Sequence, residues 1–281
     1  AVLGDWRRQI GSHAAVLGAF TLQLALLAGM QLNQPMRLDE SSSYAMYATT
    51  SPLVALMTYD TPNNHVLNSA LMWASVRAFG PEPWAVRLPA YLFTLMLPML
   101  LYLAGRAIFG GSAALLAAGI GAAAVYSTEL ATNGRGYPIV ACSFLLLLAV
   151  MPMLAARKPG ATVIAIAAGM VGLYAVPIMA YPLGVVYTAA AVHAVLTNRS
   201  VRSIPALAAA GALTCACAGL LYMPSWVTTA GPSAVAVLQR VPTTAEPAGL
   251  FSASTLRYNV LAAAAQFVYP LPARAGGIAL G

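Results

Sequence analysis

Charge is what this chain has least of. Only 7% of its 281 residues are Asp, Glu, Lys or Arg, where soluble domains carry about 25%, and 60% are hydrophobic. Mean hydropathy is +0.77, which excludes an ordinary soluble domain and indicates an integral membrane protein. Acids are scarcer than bases, seven against fourteen, giving a formal net charge of +7. The Lys and Arg residues fall singly or in pairs, with no basic block and no aromatic-interleaved face, so nucleic acid is not an expected partner. Cysteine is nearly absent. Cys142, Cys215 and Cys217 lie in apolar stretches, and the last two are too close for an ordinary disulfide or a zinc site, so all three read as packing residues. His13, His65 and His193 are scattered and form no metal motif. Alternating apolar and polar runs are missing too. A membrane offers backbone groups no water, so long continuous runs select helices over a barrel.

What remains is an all-α polytopic bundle. Apolar segments fall near 12–32, 86–105, 112–128, 138–156, 161–179, 183–197 and 205–223, which predicts about seven transmembrane helices. Arg7, Arg8, Arg106, Arg157, Lys158, Arg199 and Arg202 share the short connectors of one side. The opposite short connectors hold only Arg135, so the positive-inside rule puts the N-terminus in the cytoplasm. Counting the long polar stretches as well gives a seven-seven tie, and the rule weakens for long loops. On this topology Asp39, Glu40, Asp60, Glu82, Glu129 and Glu246 face outward and only Asp5 faces in.

The first outer segment, 33–85, is more than a loop. Residues 41–59 and 64–79 have apolar positions at helical spacing but are too short or too polar to cross, which predicts two amphipathic juxtamembrane helices joined by a turn at Thr61, Pro62, Asn63 and Asn64. Trp73, Phe79, Trp84 and Tyr91 are placed at headgroup depth. The fifth and sixth segments are separated by MAYP, with Pro177 and Pro182 expected to break the helices, either beside a cavity or as a plain hairpin. Residues 1–223 form the transmembrane module; 224–281, rich in Pro, Gly, Ser and Thr, read as an outer loop or the start of further helices. The chain begins without Met and stops at GGIALG, so a fragment of a longer protein is expected.

Asp39 and Glu40, in LNQPMRLDESSSY, open the long polar stretch and are the leading candidates for chemistry, against the plainer reading of an interfacial helix cap. Glu129, Arg135 and Tyr137 occupy the second outer loop; Arg135 is read either as a phosphate ligand or as a side chain snorkelling to headgroups with Glu129 paired to it. Arg87 at the mouth of the second helix carries the same two readings. Asp60 and His65 bracket the PNN turn, Asp60 as a ligand contact or a helix cap, His65 as a phosphate or acceptor contact or a hydrogen-bonded structural residue.

In combination, the outward LDESSSY, DTPNNHVLN in the first outer segment, AVRLPAYL at the second helix and ELATNGRGYP at the fourth resemble the GT-C superfamily of membrane glycosyltransferases, with the bacterial relatives of protein O-mannosyltransferases and lipid A aminoarabinose transferase most similar. Many relatives have a segment like HPPLY where this chain has Asn63-Asn64-His65-Val66-Leu67.

The resemblance implies a GT-C-like module whose first outer loop carries the catalytic acid and juxtamembrane helices, in the cell membrane with its site on the outer face. It implies a polyprenyl-phosphate-linked sugar donor and an acceptor glycan, lipid or protein. Asp39 takes the base role, and Glu40 shares it or positions the acceptor. Arg135, Glu129, Tyr137, Asp60, His65 and Arg87 become substrate-binding candidates. No cofactor is implied; some relatives use a divalent metal, and this sequence does not favour one. The rival readings are a transporter and a non-catalytic lipid-binding subunit. Transport would place ionisable groups inside the helices, whereas here the acids collect outside them.

Overall fold

The structure is a computed structural model that describes residues 2–49, 51–59, 63–156, 158, 160–196 and 204–229. Among the described residues all regular structure is helical. The chain starts with α1 (Val2–Gly11), which buries Val2 and Trp6 one turn apart and exposes Arg7 and Arg8. At Ser12-His13 it turns by 82° into α2 (Ala14–Gly29). The first outer segment then forms α3 (Leu38–Ser43), a π-helical turn (Tyr44–Ala48), α4 (Pro52–Met57) and α5 (Val66–Phe79).

The single helix expected over 41–59 is therefore two shorter pieces. Pro52 supplies the reason: it sits at the first position of α4, behind Ser51, whose hydroxyl accepts the Val54 N–H at 3.3 Å. The second expected helix is α5, whose 14 residues reach about 21 Å, short of the ~30 Å hydrocarbon core. Phe79 and Trp84 stack their rings 5.4 Å apart where α5 passes to the next helix.

The spans follow. α6 (Pro83–Leu95) and α7 (Leu97–Ile108) make one 26-residue apolar passage. α8 (Gly111–Ala123) bends by 61° at Ala124 into α9 (Val125–Ala131). α10 (Tyr137–Ala155), α11 (Ala161–Ala175), α12 (Ala180–Leu196) and α13 (Ile204–Thr229) complete the bundle. Among the described residues four helices are long and apolar enough to cross a membrane, or six if each bent pair is one span. α11, at the place of another expected span, is a shorter apolar helix of 15 residues. The protein is a multi-pass, all-α membrane bundle.

Pro182 does not break a helix as expected. After a 3-10 turn at Pro177–Met179, α12 already begins at Ala180, so Pro182 falls in its first turn, where a missing N–H costs no intrahelical bond. Small residues let the helices close up: Ala114, Ala118 and Ala122 recur every fourth position on α8 and are all fully buried. The opposite faces are apolar and open, with Leu116, Ile120, Val163 and Leu220 each more than 60% exposed, as lipid-facing surfaces require. Cys142 is buried and directs its thiol to the Phe93 carbonyl at 3.0 Å; Cys215 and Cys217 are unpaired on α13.

One hydroxyl tie joins two bundle helices and another fixes the first outer segment to the bundle. Tyr91 on α6 donates to the Ala25 carbonyl of α2 at 3.1 Å, and Tyr174 at the end of α11 donates to the Leu56 carbonyl of α4 at 2.7 Å. The second bond holds α4 of the first outer segment against the end of α11.

Candidate active site

α3 begins where Pro35 and Arg37 keep the backbone extended. Glu40, at its third position, turns back to accept the Arg37 N–H at 3.1 Å, satisfying one of the orphan donors of a helix start. Arg37 has only donors, so its side chain cannot complete a reciprocal cap. Asp39 and Glu40 are adjacent and therefore point apart: Glu40 is fully buried, Asp39 exposed.

Glu40 meets Arg87, which α6 carries inward. The two form a bidentate ion pair, Arg87 Nε to Glu40 Oε1 and Arg87 Nη2 to Oε2, both at 2.8 Å, with each side chain at most 1% exposed. Nη1 of Arg87 donates to the carbonyls of Leu32 and Gln34, each at 2.7 Å, and Nη2 also donates to Pro35 at 3.0 Å. All five guanidinium donors are used. Glu40 Oε1 additionally accepts the Gly134 N–H at 2.9 Å, so the pair clips the second outer loop to the first. The capacity of both residues is spent on one another and on backbone, which is the pattern of a structural clamp.

The second outer loop is a tight turn, with Arg135 N–H on the Asn133 carbonyl at 2.6 Å. A side chain at Gly134 would begin 2.9 Å from Glu40 Oε1, and one at Gly136 would begin 3.1 Å from both His65 Cβ and Val176 Cγ2. Glycine on both sides of Arg135 is what lets this backbone reach Glu40 and His65. Asn68 on α5 secures the turn by donating to the Gly134 carbonyl at 2.8 Å.

Arg135 itself, 6% exposed, lies beneath the Asp39 backbone. Its Nη1 contacts the Asp39 carbonyl and Ser43 Oγ, both at 3.4 Å, and bonds Asn63 Oδ1; its Nη2 stands 3.1 Å from His65 Nε2. Tyr137 sits edge-on to His65 at 4.7 Å, with Arg135 5.8 Å above its ring. Among the described residues no carboxylate lies within ion-pair distance of Arg135. A buried guanidinium without a counter-charge is costly, and an anion would relieve the cost.

His65 sharpens that demand. The Gly136 N–H donates to Nδ1 at 2.7 Å, so in the neutral ring the proton is on Nε2. Burial first, and the Arg135 charge second, lower the His65 pKa to about 3, so the ring is neutral at physiological pH. Nε2–H therefore faces the Nη2–H donors of Arg135: two donors converge and lack an acceptor between them.

Among the described residues the Asp39 carboxylate has no hydrogen-bond or ion-pair partner, and no three His, Cys, Asp or Glu side chains gather as a metal set. Glu129 is exposed on α9 and makes no ion pair with Arg135. Asp60 lies outside the described residues. The structure thus brings Asp39, Glu40, His65, Arg87, Arg135 and Tyr137 together. It adds Ser43, Asn63, Asn68, Gly134 and Gly136, for which the sequence offered one signal, a lone Arg flanked by glycines after a polar TN.

Residues 60–222, more than half of the chain, match the dolichyl-phosphate-mannose-protein mannosyltransferase family, and the chain belongs to it. The match takes in His65, Arg87, Glu129, Arg135 and Tyr137, while Asp39 and Glu40 precede it. No curated protein and no solved structure matches the chain.

Proposed function

We propose that this protein transfers a sugar, mannose by its family, from a polyprenyl phosphate to an acceptor hydroxyl at the outer face of the cell membrane, with Asp39 as the base. The observation that carries the reading is the buried Arg135, without a carboxylate partner among the described residues, converging with His65 Nε2–H directly beneath Asp39. Both donors suit the phosphate oxygens of the donor, as a dianionic leaving group develops there when the anomeric C–O bond breaks. The acceptor oxygen forms the new bond to the anomeric carbon, and its proton passes to Asp39, whose carboxylate no described residue engages. Glu40 and Arg87 hold the two outer loops in register and touch neither reactant. Tyr137, 40% exposed, forms the wall beside the phosphate.

The family membership supports the donor class; the family name supports a protein acceptor, and the basic residues of the short connectors support the outer face. The test is transfer itself. Purified protein in nanodiscs is given polyprenyl-phosphate mannose and candidate serine- or threonine-containing peptides; polyprenyl phosphate should be released together with mannosylated peptide. Release without transfer to any hydroxyl acceptor would remove the transferase reading.

A further inference from the structure

The opposite end of the bundle carries a second constellation that the transfer chemistry does not use. Arg87 and Arg106 sit at the two ends of the α6–α7 passage, 19 residues apart, hence about 28 Å along the axis. Two cavities open near this end, one of them beside Arg106, and Trp6 and Leu103 wall both. One, of about 460 Å³, is half polar and lined by Gln9, Arg106, Gly110, Gly111 and Lys158. The other, of about 470 Å³, is almost wholly apolar; Phe93, Met96, Leu100, Leu146 and Val171 line it and Arg7 stands at its rim.

Charge there is unbalanced. Among the described residues Arg7, Arg8, Arg106 and Lys158 face a single acid, Asp5, which accepts from Arg8 at 2.7 Å and from Lys158 at 3.1 Å. Those two bonds hold the Asp5 carboxyl below its usual range. Arg106 has no hydrogen-bond or ion-pair partner among the described residues. A cationic polar chamber sharing two walls with an apolar groove, beneath a helix turned 82° from its span, has the two-part shape of an amphiphile.

We infer that this end binds one anionic phospholipid, its phosphate between Arg106 and Lys158 and an acyl chain in the groove past Trp6. The charge excess selects an anionic over a zwitterionic headgroup, and the groove selects a lipid over a free phosphate. The lipid holds α1 against α7 and α10, with Asp5 and the phosphate sharing Lys158. This site stands at the far end of the bundle from Arg135 and is independent of the sugar donor.

The test is native mass spectrometry of the purified chain in detergent, titrated with phosphatidylglycerol, phosphatidylcholine or inorganic phosphate, alongside thermal unfolding. One phosphatidylglycerol should bind saturably and raise the unfolding temperature, with phosphatidylcholine at least tenfold weaker and inorganic phosphate without effect. Arg106→Gln with Lys158→Gln should abolish the preference between the two lipids. Met96→Trp, at a position 42% exposed, narrows the groove without touching a charge and should weaken both lipids. Equal affinity for the two lipids in the native chain, a full effect from inorganic phosphate, or an unchanged preference in the double variant would each overturn the site. Circular dichroism of each variant without lipid confirms that it is folded.

Discussion

Arg135 Nη2 and His65 Nε2 stand 3.1 Å apart, and the Gly136 N–H on Nδ1 makes this a meeting of two donors. Such a contact is unfavourable by itself, and the bonds of the surrounding turn, Asn68 to the Gly134 carbonyl and Gly136 N–H to His65, hold it in place. Two converging donors suit one acceptor that both can reach, and a phosphate oxygen is such an acceptor.

The same pair sets a pH dependence. Unfolded His65 takes up a proton below its ordinary pKa of 6.5, whereas folded His65 does so only near 3. Between those values the unfolded state binds more protons, so stability rises with pH from about 3 to 6.5 and is fully present above that, at most about 1.4 kcal/mol per pH unit. Thermal unfolding in detergent should show this slope, and His65→Asn, which keeps an acceptor for Gly136 N–H, should flatten it. An equal slope in the variant would assign the pH dependence elsewhere.

The Glu40–Arg87 pair is expected to be structural. Removing one partner leaves a buried charge, so Glu40→Ala or Arg87→Ala should each lose about 3–5 kcal/mol, while Glu40→Leu with Arg87→Met should recover part of that loss. Unfolding midpoints of these three variants and the native protein check both expectations, and adding Glu40→Ala with Arg87→Ala closes the cycle that gives the coupling. A stable, well-folded Glu40→Ala that has lost transfer would instead make Glu40 a catalytic group.

Gly134→Ala and Gly136→Ala should displace the second outer loop, each costing roughly 1–3 kcal/mol as overpacking does, with a larger fall in transfer than stability alone explains. Gly4→Ala, in α1 with nothing within 4 Å of the added carbon, is the control: it should leave transfer unchanged and not lower stability, since Ala favours a helix over Gly.

Asp39→Asn keeps size and hydrogen bonding while removing the base. Turnover should fall by about 10²- to 10⁴-fold with donor binding and melting temperature unchanged. Full turnover would move the base role to Glu129, exposed on α9.

How much of this could be read in the sequence differs by element. Long apolar runs fix the bundle, because composition alone decides what can sit in lipid. The 61° bend was not legible, because at Ala124 the run stays apolar through the turn; the 82° bend falls at polar Ser12-His13, a break the sequence marks without giving its angle. The acid pair was visible at once, but not that Glu40 would be sealed under Arg87 and Asp39 left open. That division depends on which side of a six-residue helix each faces and on contacts 47 and 94 residues away. Arg135 stood out by its loop, yet Asn63 and Asn68 became meaningful only when α5 packed beneath it.

The most direct measurement is donor-lipid affinity of native protein and Arg135→Gln, taken with polyprenyl phosphate in nanodiscs at fixed salt. With the phosphate gripped by Arg135 and His65, Arg135→Gln should bind at least tenfold more weakly, charge-assisted hydrogen bonds contributing about 1.5–3 kcal/mol, while its melting temperature stays close to the native value or rises. Undiminished affinity in a folded Arg135→Gln would show that the phosphate lies elsewhere and that the site described here is not the site of transfer.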